Sequence, residues 1–97
     1  MRPSEVLERN RDVIRRLVAK RKAENPRVFG SVARGEDRED SDLDILVDPL
    51  EDATLFDLGG LLIDLQNALQ GAEIHLLTPG DFPQRIRAQV LQEARPV

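Results

Sequence analysis

Asp42 and Asp44 stand one residue apart in the run Ser41-Asp42-Leu43-Asp44-Ile45-Leu46-Val47. Side chains alternate along a strand, so both carboxylates point to one face while Leu43 and Ile45 point to the other. Two carboxylates on an apolar strand repel each other and lose hydration, and both effects oppose folding unless something compensates. A pair about 7 Å apart along a strand can converge on cations placed between them. Hard oxygen ligands suit Mg2+ or Mn2+, and magnesium also takes waters and substrate phosphates. The matching chemistry is a two-metal transfer, in which ions about 3.5–4 Å apart activate an attacking oxygen and stabilise a leaving one.

The second chemical feature is Gly30-Ser31, directly after Arg27-Val28-Phe29. If Ser31 opens a short helix, its backbone N–H groups and hydroxyl face a phosphate, and Gly30 lets the backbone approach closely. Gly-Ser by itself is no signal. In a strand–turn–helix context ahead of Asp42 and Asp44, it completes a site for a cation and a phosphate.

The elements that must position these residues follow from periodicity. Ser4 is the expected N-cap of a first helix over residues 4–22, with one apolar stripe of Val6, Leu7, Val13, Ile14, Leu17 and Val18. Asn25-Pro26 breaks it. Residues 27–29 form a short strand, and Leu43 to Val47 a second one stopped by Pro49. Leu55, Leu58, Leu62, Leu65 and Leu69 predict a core-packed helix over residues 54–70, with Gly71 as its C-cap. Gly59-Gly60 inside it points to close helix packing, with space for a ligand or a partner as the competing reading. Residues 73–77 read as a third strand, and Asp81 with Pro83 starts a last helix marked by Phe82, Ile86 and Val90. The expected fold is a small α+β domain: a short mixed sheet of three or four strands covered by helices, with the site at one sheet edge.

Composition narrows the function. At 97 residues the chain reads as one domain, residues 1–97. It has no cysteine, so disulfides and thiolate sites are excluded, which fits a reducing, cytoplasmic setting. The N-terminal stretch has no apolar core of a secretory signal, and Asp57 and Asp64 interrupt the most apolar run, so no membrane span is expected. Residues 36–52 hold nine acids against one base, Arg38; that segment carries −8 of a chain total of −4. Such a field repels nucleic acid and attracts divalent cations or a basic partner protein. Most of these acids read as a solvated loop.

The residues Gly30-Ser31, the ten positions from Val32 to Ser41, and then Asp42-Leu43-Asp44 resemble the signature of the polymerase-β-like nucleotidyltransferases. Ala33-Arg34-Gly35, Ser41, the chain length, the first helix and the ending Leu76-Leu77-Thr78-Pro79-Gly80-Asp81-Phe82-Pro83 resemble the minimal nucleotidyltransferase branch, over essentially the whole chain. The resemblance implies that Gly30 and Ser31 hold the triphosphate of ATP and that Asp42 and Asp44 hold Mg2+ (or Mn2+). It places Arg34 on a phosphate, where a loop salt bridge is the competing role. Ser41 is either a ligand-side hydroxyl or a residue that orders the turn into the strand. The implied partner is a HEPN-domain toxin, with this chain as antitoxin transferring AMP to a tyrosine of that toxin, and it leaves room for a homo-oligomer.

His75 breaks the pattern. The family carries a third carboxylate on the next strand, commonly as general base; here the stretch is Ile74-His75-Leu76-Leu77-Thr78-Pro79. Three readings stay open. His75 takes the base role, since imidazole titrates near neutral pH. Glu73, on the same strand face, substitutes. Or catalysis is weakened or lost, and the domain keeps only nucleotide or partner binding, neutralising its toxin by contact. The chain contains no tyrosine, so tyrosine modification has to occur in trans. The acidic balance and scarcity of aromatics argue against an RNA substrate, and a small-molecule acceptor stays open.

Overall fold

The computed structural model describes residues 1–97. Two short helices, α1 (Pro3–Arg9) and α2 (Arg11–Lys20), lead into β1 (Ala23–Phe29), and α3 (Gly30–Arg34) follows at once. Next come β2 (Leu43–Pro49), α4 (Leu55–Ala68), β3 (Ile74–Leu77), a 3-10 turn (Pro79–Asp81), α5 (Gln84–Glu93) and β4 (Arg95–Pro96). The four strands form one sheet in the order β3-β2-β1-β4. β1 is antiparallel to β2 and to β4, whereas β2 and β3 run parallel. This is the mixed α+β sheet expected, with β3 at an edge.

The core lies on the sheet face that carries Val28, Leu43, Ile45, Val47 and Ile74, against Val6, Leu7, Ile14, Val18, Leu61, Leu65 and Leu69 from the helices. Leu43, Ile45 and Val47 alternate, so β2 presents its apolar side inward. Asp44 and Asp48 then share the opposite face, as the period of two requires.

Several boundaries differ from the sequence reading. The first helix is two helices. At Asn10 the backbone leaves helical geometry (φ −131°, ψ 18°), and the Asn10 amide donates to the Val6 carbonyl at 2.7 Å. Such local side-chain bonding competes with the helical ladder. Arg2, not Ser4, is the N-cap, with Pro3 in the first turn. The Ser4 N–H instead donates to Asp37 Oδ2 at 2.9 Å. Asn25-Pro26 does not end a helix but lies within β1, where the register shifts between Glu24 and Arg27. Proline has no N–H for the ladder and Asn25 takes φ 53°, so the strand bulges there.

In α4, Leu61 and Leu65 are fully buried, as is Leu69 just past its end, but Leu55 is 86% exposed. At 100° per residue Leu55 points about 80° away from Leu65, so it belongs to the edge of the apolar stripe. Thr54 caps the helix through a reciprocal bond with Asp57. Leu69, not Gly71, is the C-cap. A Cβ on Gly60 would stand 2.7 Å from the Arg21 guanidinium, which pairs with Asp64 at 2.8 Å. Close packing therefore explains Gly60; a Cβ on Gly59 would meet nothing within 4 Å.

Asp81 caps the 3-10 turn at Thr78, and α5 begins three residues later. No α5 residue is buried, so Ile86 and Val90 do not form the core stripe their spacing suggests. Phe82 stacks edge-on against Phe29, with ring centroids 5.5 Å apart. No helix is long and apolar enough to cross a membrane.

The two ends of the α4 stripe should respond differently to truncation. Leu65→Ala removes a fully buried side chain and is expected to cost about 2–5 kcal/mol. Leu55→Ala should stay within about 0.5 kcal/mol of the parent. Urea unfolding of both variants checks this; equal losses would contradict the helix orientation.

Candidate active site

The site is assembled by the parallel pairing of β2 and β3. Leu43 faces Ile74 and Asp44 faces His75 in register, and the Leu43 N–H donates to the Glu73 carbonyl at 2.8 Å. Asp42 sits one residue ahead of β2, at its mouth. Alternation therefore puts Asp42, Asp44, Glu73 and His75 on one side of the sheet edge. Gly30 closes the other side. Its φ of +70° is a left-handed conformation that suits glycine, and a Cβ there would come within 2.3 Å of Asp44 Oδ2. The glycine is needed both for the turn and for the space the carboxylate occupies.

The imidazole lies between the two aspartates. His75 Nδ1 is 3.2 Å from Asp44 Oδ1, and Nε2 is 3.5 Å from Asp42 Oδ2 and 3.9 Å from Glu73 Oε1. One donor atom each from Asp42, Glu73 and His75 lies within 4.8 Å of the others. Exposure rises outward: Asp44 is 22% exposed, Asp42 38% and His75 48%. Burial pushes the Asp44 carboxyl above the ordinary range, and the neighbouring Asp42 charge adds to that; His75 and, more weakly, Arg34 oppose it. The carboxylates are thus half-buried at a strand mouth, not sealed in the core.

The remaining candidates divide. Ser31 follows Gly30 in α3 and is half-buried. Ser41 Oγ accepts the Arg38 N–H at 2.8 Å, which orders the turn into β2. Arg34 is engaged on both sides, by Glu36 at 3.1 Å and Glu93 at 2.9 Å. Glu93 Oε1 also accepts the Gly30 N–H at 3.1 Å. Sequence reasoning missed Glu93, which lies 63 residues from Gly30 on a helix with no motif. It also missed Asp37, which is buried and tethers the acidic loop to α1. An apolar depression of about 230 Å3 between α4 and β3 is lined by Leu55, Leu62 and Leu76 among others, and contains none of the candidate residues.

The chemistry of the donor set, two or three carboxylates and one imidazole open to solvent, fits a divalent cation. It also suits proton transfer from a hydroxyl brought to the sheet edge.

Two variants test this geometry. Gly30→Ala should lose about 1–3 kcal/mol and displace Asp44, seen as a lowered melting temperature with perturbed β2 resonances. Asp44→Asn keeps the shape of the side chain but not its charge. A carboxyl raised on folding weakens the fold once it ionises, so the Asn variant should melt higher than the parent at neutral pH. The gain should vanish as the pH falls through the raised value toward the unperturbed range near about 4. Melting curves across that range check the sign; a neutral-pH loss would contradict it.

The chain has clear relatives. A profile of the nucleotidyltransferase domain family matches residues 10–97. A protein of Methanocaldococcus jannaschii named "Putative protein adenylyltransferase" is 40% identical over 67 residues, which covers 69% of this chain and 71% of that one. A solved structure described as a "putative minimal nucleotidyltransferase" superposes with a TM-score of 0.85 at 44% identity, covering 97% of this chain and 95% of the other. A second, described as a toxin-antitoxin crystal structure with AMP-PNP, superposes with a TM-score of 0.73 over 90% of this chain and 71% of that one. At 22% identity that likeness is one of fold. With its polymerase-β-like sheet and the site at the β2–β3 mouth, the chain belongs to the nucleotidyltransferase domain family, in its minimal form.

Proposed function

We propose that this nucleotidyltransferase moves AMP from ATP to a hydroxyl, a tyrosine, of a partner protein, a HEPN-domain toxin that it thereby neutralises. The observation that carries the reading is the convergence of Asp42, Asp44 and His75 at the β2–β3 mouth with Gly30 against Asp44. Likeness to a protein named for adenylyl transfer and to a toxin-antitoxin structure holding AMP-PNP supports it. The absence of tyrosine from the chain directs a tyrosine reaction outward, to another protein. A nucleoside triphosphate substrate and the absence of cysteine fit a cytoplasmic setting.

The chemistry follows from the site. The acceptor oxygen attacks the α-phosphorus, a new O–P bond forms, and the bond to the bridging oxygen breaks to release pyrophosphate. The acceptor proton leaves to the cluster of carboxylates and imidazole at the sheet edge. Gly30 and Ser31 approach the triphosphate, and Arg34, released from Glu93, supplies positive charge to it. Asp42 and Asp44, with their neighbours, would hold Mg2+ or Mn2+, which neutralises charge on the triphosphate and the leaving pyrophosphate.

One observation favours a second reading, in which the domain neutralises its toxin by contact. His75, not a carboxylate, lies opposite Asp44. ATP labelled at the α-phosphate, incubated with a divalent cation and lysate of the source cells, separates the two. Wild type should label a second protein, and Asp42→Asn should reduce the label at least about 100-fold. Equal labelling by both proteins overturns the transferase reading; label with His75→Asp alone leaves the contact reading standing.

A further inference from the structure

The imidazole of His75 is presented to the site in a particular way. Its Nδ1 faces Asp44 at 3.2 Å, while its Nε2 faces Asp42 at 3.5 Å and Glu73 at 3.9 Å. Ligands about 2.0–2.2 Å from one cation stand roughly 3–4.4 Å from each other, and these two separations fall in that range. A histidine that ligates a metal characteristically gives its other nitrogen to a carboxylate, which fixes the ring. Asp44 occupies that second place. It is the most buried of the four groups, and its Oδ2 is pressed against Gly30, so it holds the ring from inside while Nε2 looks outward.

We propose that Asp42, Glu73 and His75 Nε2 form a binding site for a transition-metal dication of the Mn2+, Co2+ and Zn2+ class, with Asp44 positioning the imidazole through Nδ1. The site differs from an all-oxygen pair at Asp42 and Asp44. An imidazole nitrogen favours the softer first-row ions over Mg2+, which prefers carboxylates and water. Glu73 becomes a ligand, although it lies in the turn before β3, because the parallel register sets it two residues ahead of His75 on the same side. His75 is 48% exposed, which leaves the site open to a cation from solvent. In this arrangement neither imidazole nitrogen is free, so the acceptor proton goes to a carboxylate. The inference rests on the transferase reading for its use, but not for its test.

The chain has a single histidine, so its imidazole signals are unambiguous. The full chain, stripped with chelator and kept free of nucleotide, is titrated separately with Zn2+, Mn2+ and Mg2+ by calorimetry, and the Zn2+ titration is repeated with long-range 15N–1H correlation spectra. Zn2+ should bind one to one, move Nε2 to a metal-bound position and leave Nδ1 protonated. His75→Asp should weaken Zn2+ binding at least about tenfold without weakening Mg2+, and Glu73→Gln should also weaken Zn2+. An unmoved imidazole at saturating Zn2+, ligation through Nδ1, or a His75→Asp variant that binds Zn2+ as tightly as the parent overturns the assignment. Because wild type carries the spectroscopic test, a variant that fails to fold does not stall it. Metal binding without label transfer sinks only the transferase reading, and transfer without imidazole ligation sinks only this one.

Discussion

The parallel register of β2 against β3 is the constraint on which the site depends. The Leu43 N–H bonded to the Glu73 carbonyl sets Asp44 opposite His75, and alternation then puts Asp42, Asp44, Glu73 and His75 on one side. A slip of one residue would turn His75 into the core and Ile74 to the site. The core resists that slip, because Leu43, Ile45 and Ile74 are buried on the opposite face. Burying those apolar side chains is worth several kcal/mol in total, at about 1.5–3 kcal/mol each. Apolar burial therefore fixes the polar geometry.

The same face of β2 carries two kinds of aspartate. Asp48 sits at the far end, where Arg27 Nη2 reaches it at 3.1 Å and the Asn25 amide also at 3.1 Å. Burial pushes its carboxyl up, but these two hydrogen bonds outweigh that and hold it below the ordinary range. Its charge is satisfied within the fold. Asp44 has only the imidazole and the more distant Arg34 against burial and the Asp42 charge, and it is raised. An aspartate supplied with a fixed guanidinium is structural. One left with only an imidazole beside it, at a solvent-facing mouth, keeps a charge the fold does not satisfy, which is what the proposed cation site draws on.

Around Gly30 the backbone and the last helix meet. The left-handed glycine admits Asp44, and its N–H is taken by Glu93 of α5, which also holds Arg34. The end of α5 is thereby linked to both groups proposed to meet the triphosphate, while Phe82 anchors its beginning on Phe29. α5 adds no residue to the core; these contacts fasten it to the site.

Read as a sequence, the chain already disclosed the mixed α+β class, the strands around Phe29, Leu43–Val47 and Ile74–Leu77, and the chemical candidates. Those features rest on local rules: alternation along β2, the period of α4, and the residue types that can ligate or face phosphate. The departure at His75 was equally visible. The break at Asn10, the bulge at Asn25-Pro26 and the outward turn of Leu55 were not, because each depends on what packs beneath the chain. Nor did spacing assign Ser4 to Asp37, or Glu93 to Gly30 and Arg34. Local chemistry determined which groups the protein has available. The sheet register and the helices packed on it decided which of them touch, since contacts between residues far apart in the chain are set by burial of the core and not by sequence spacing.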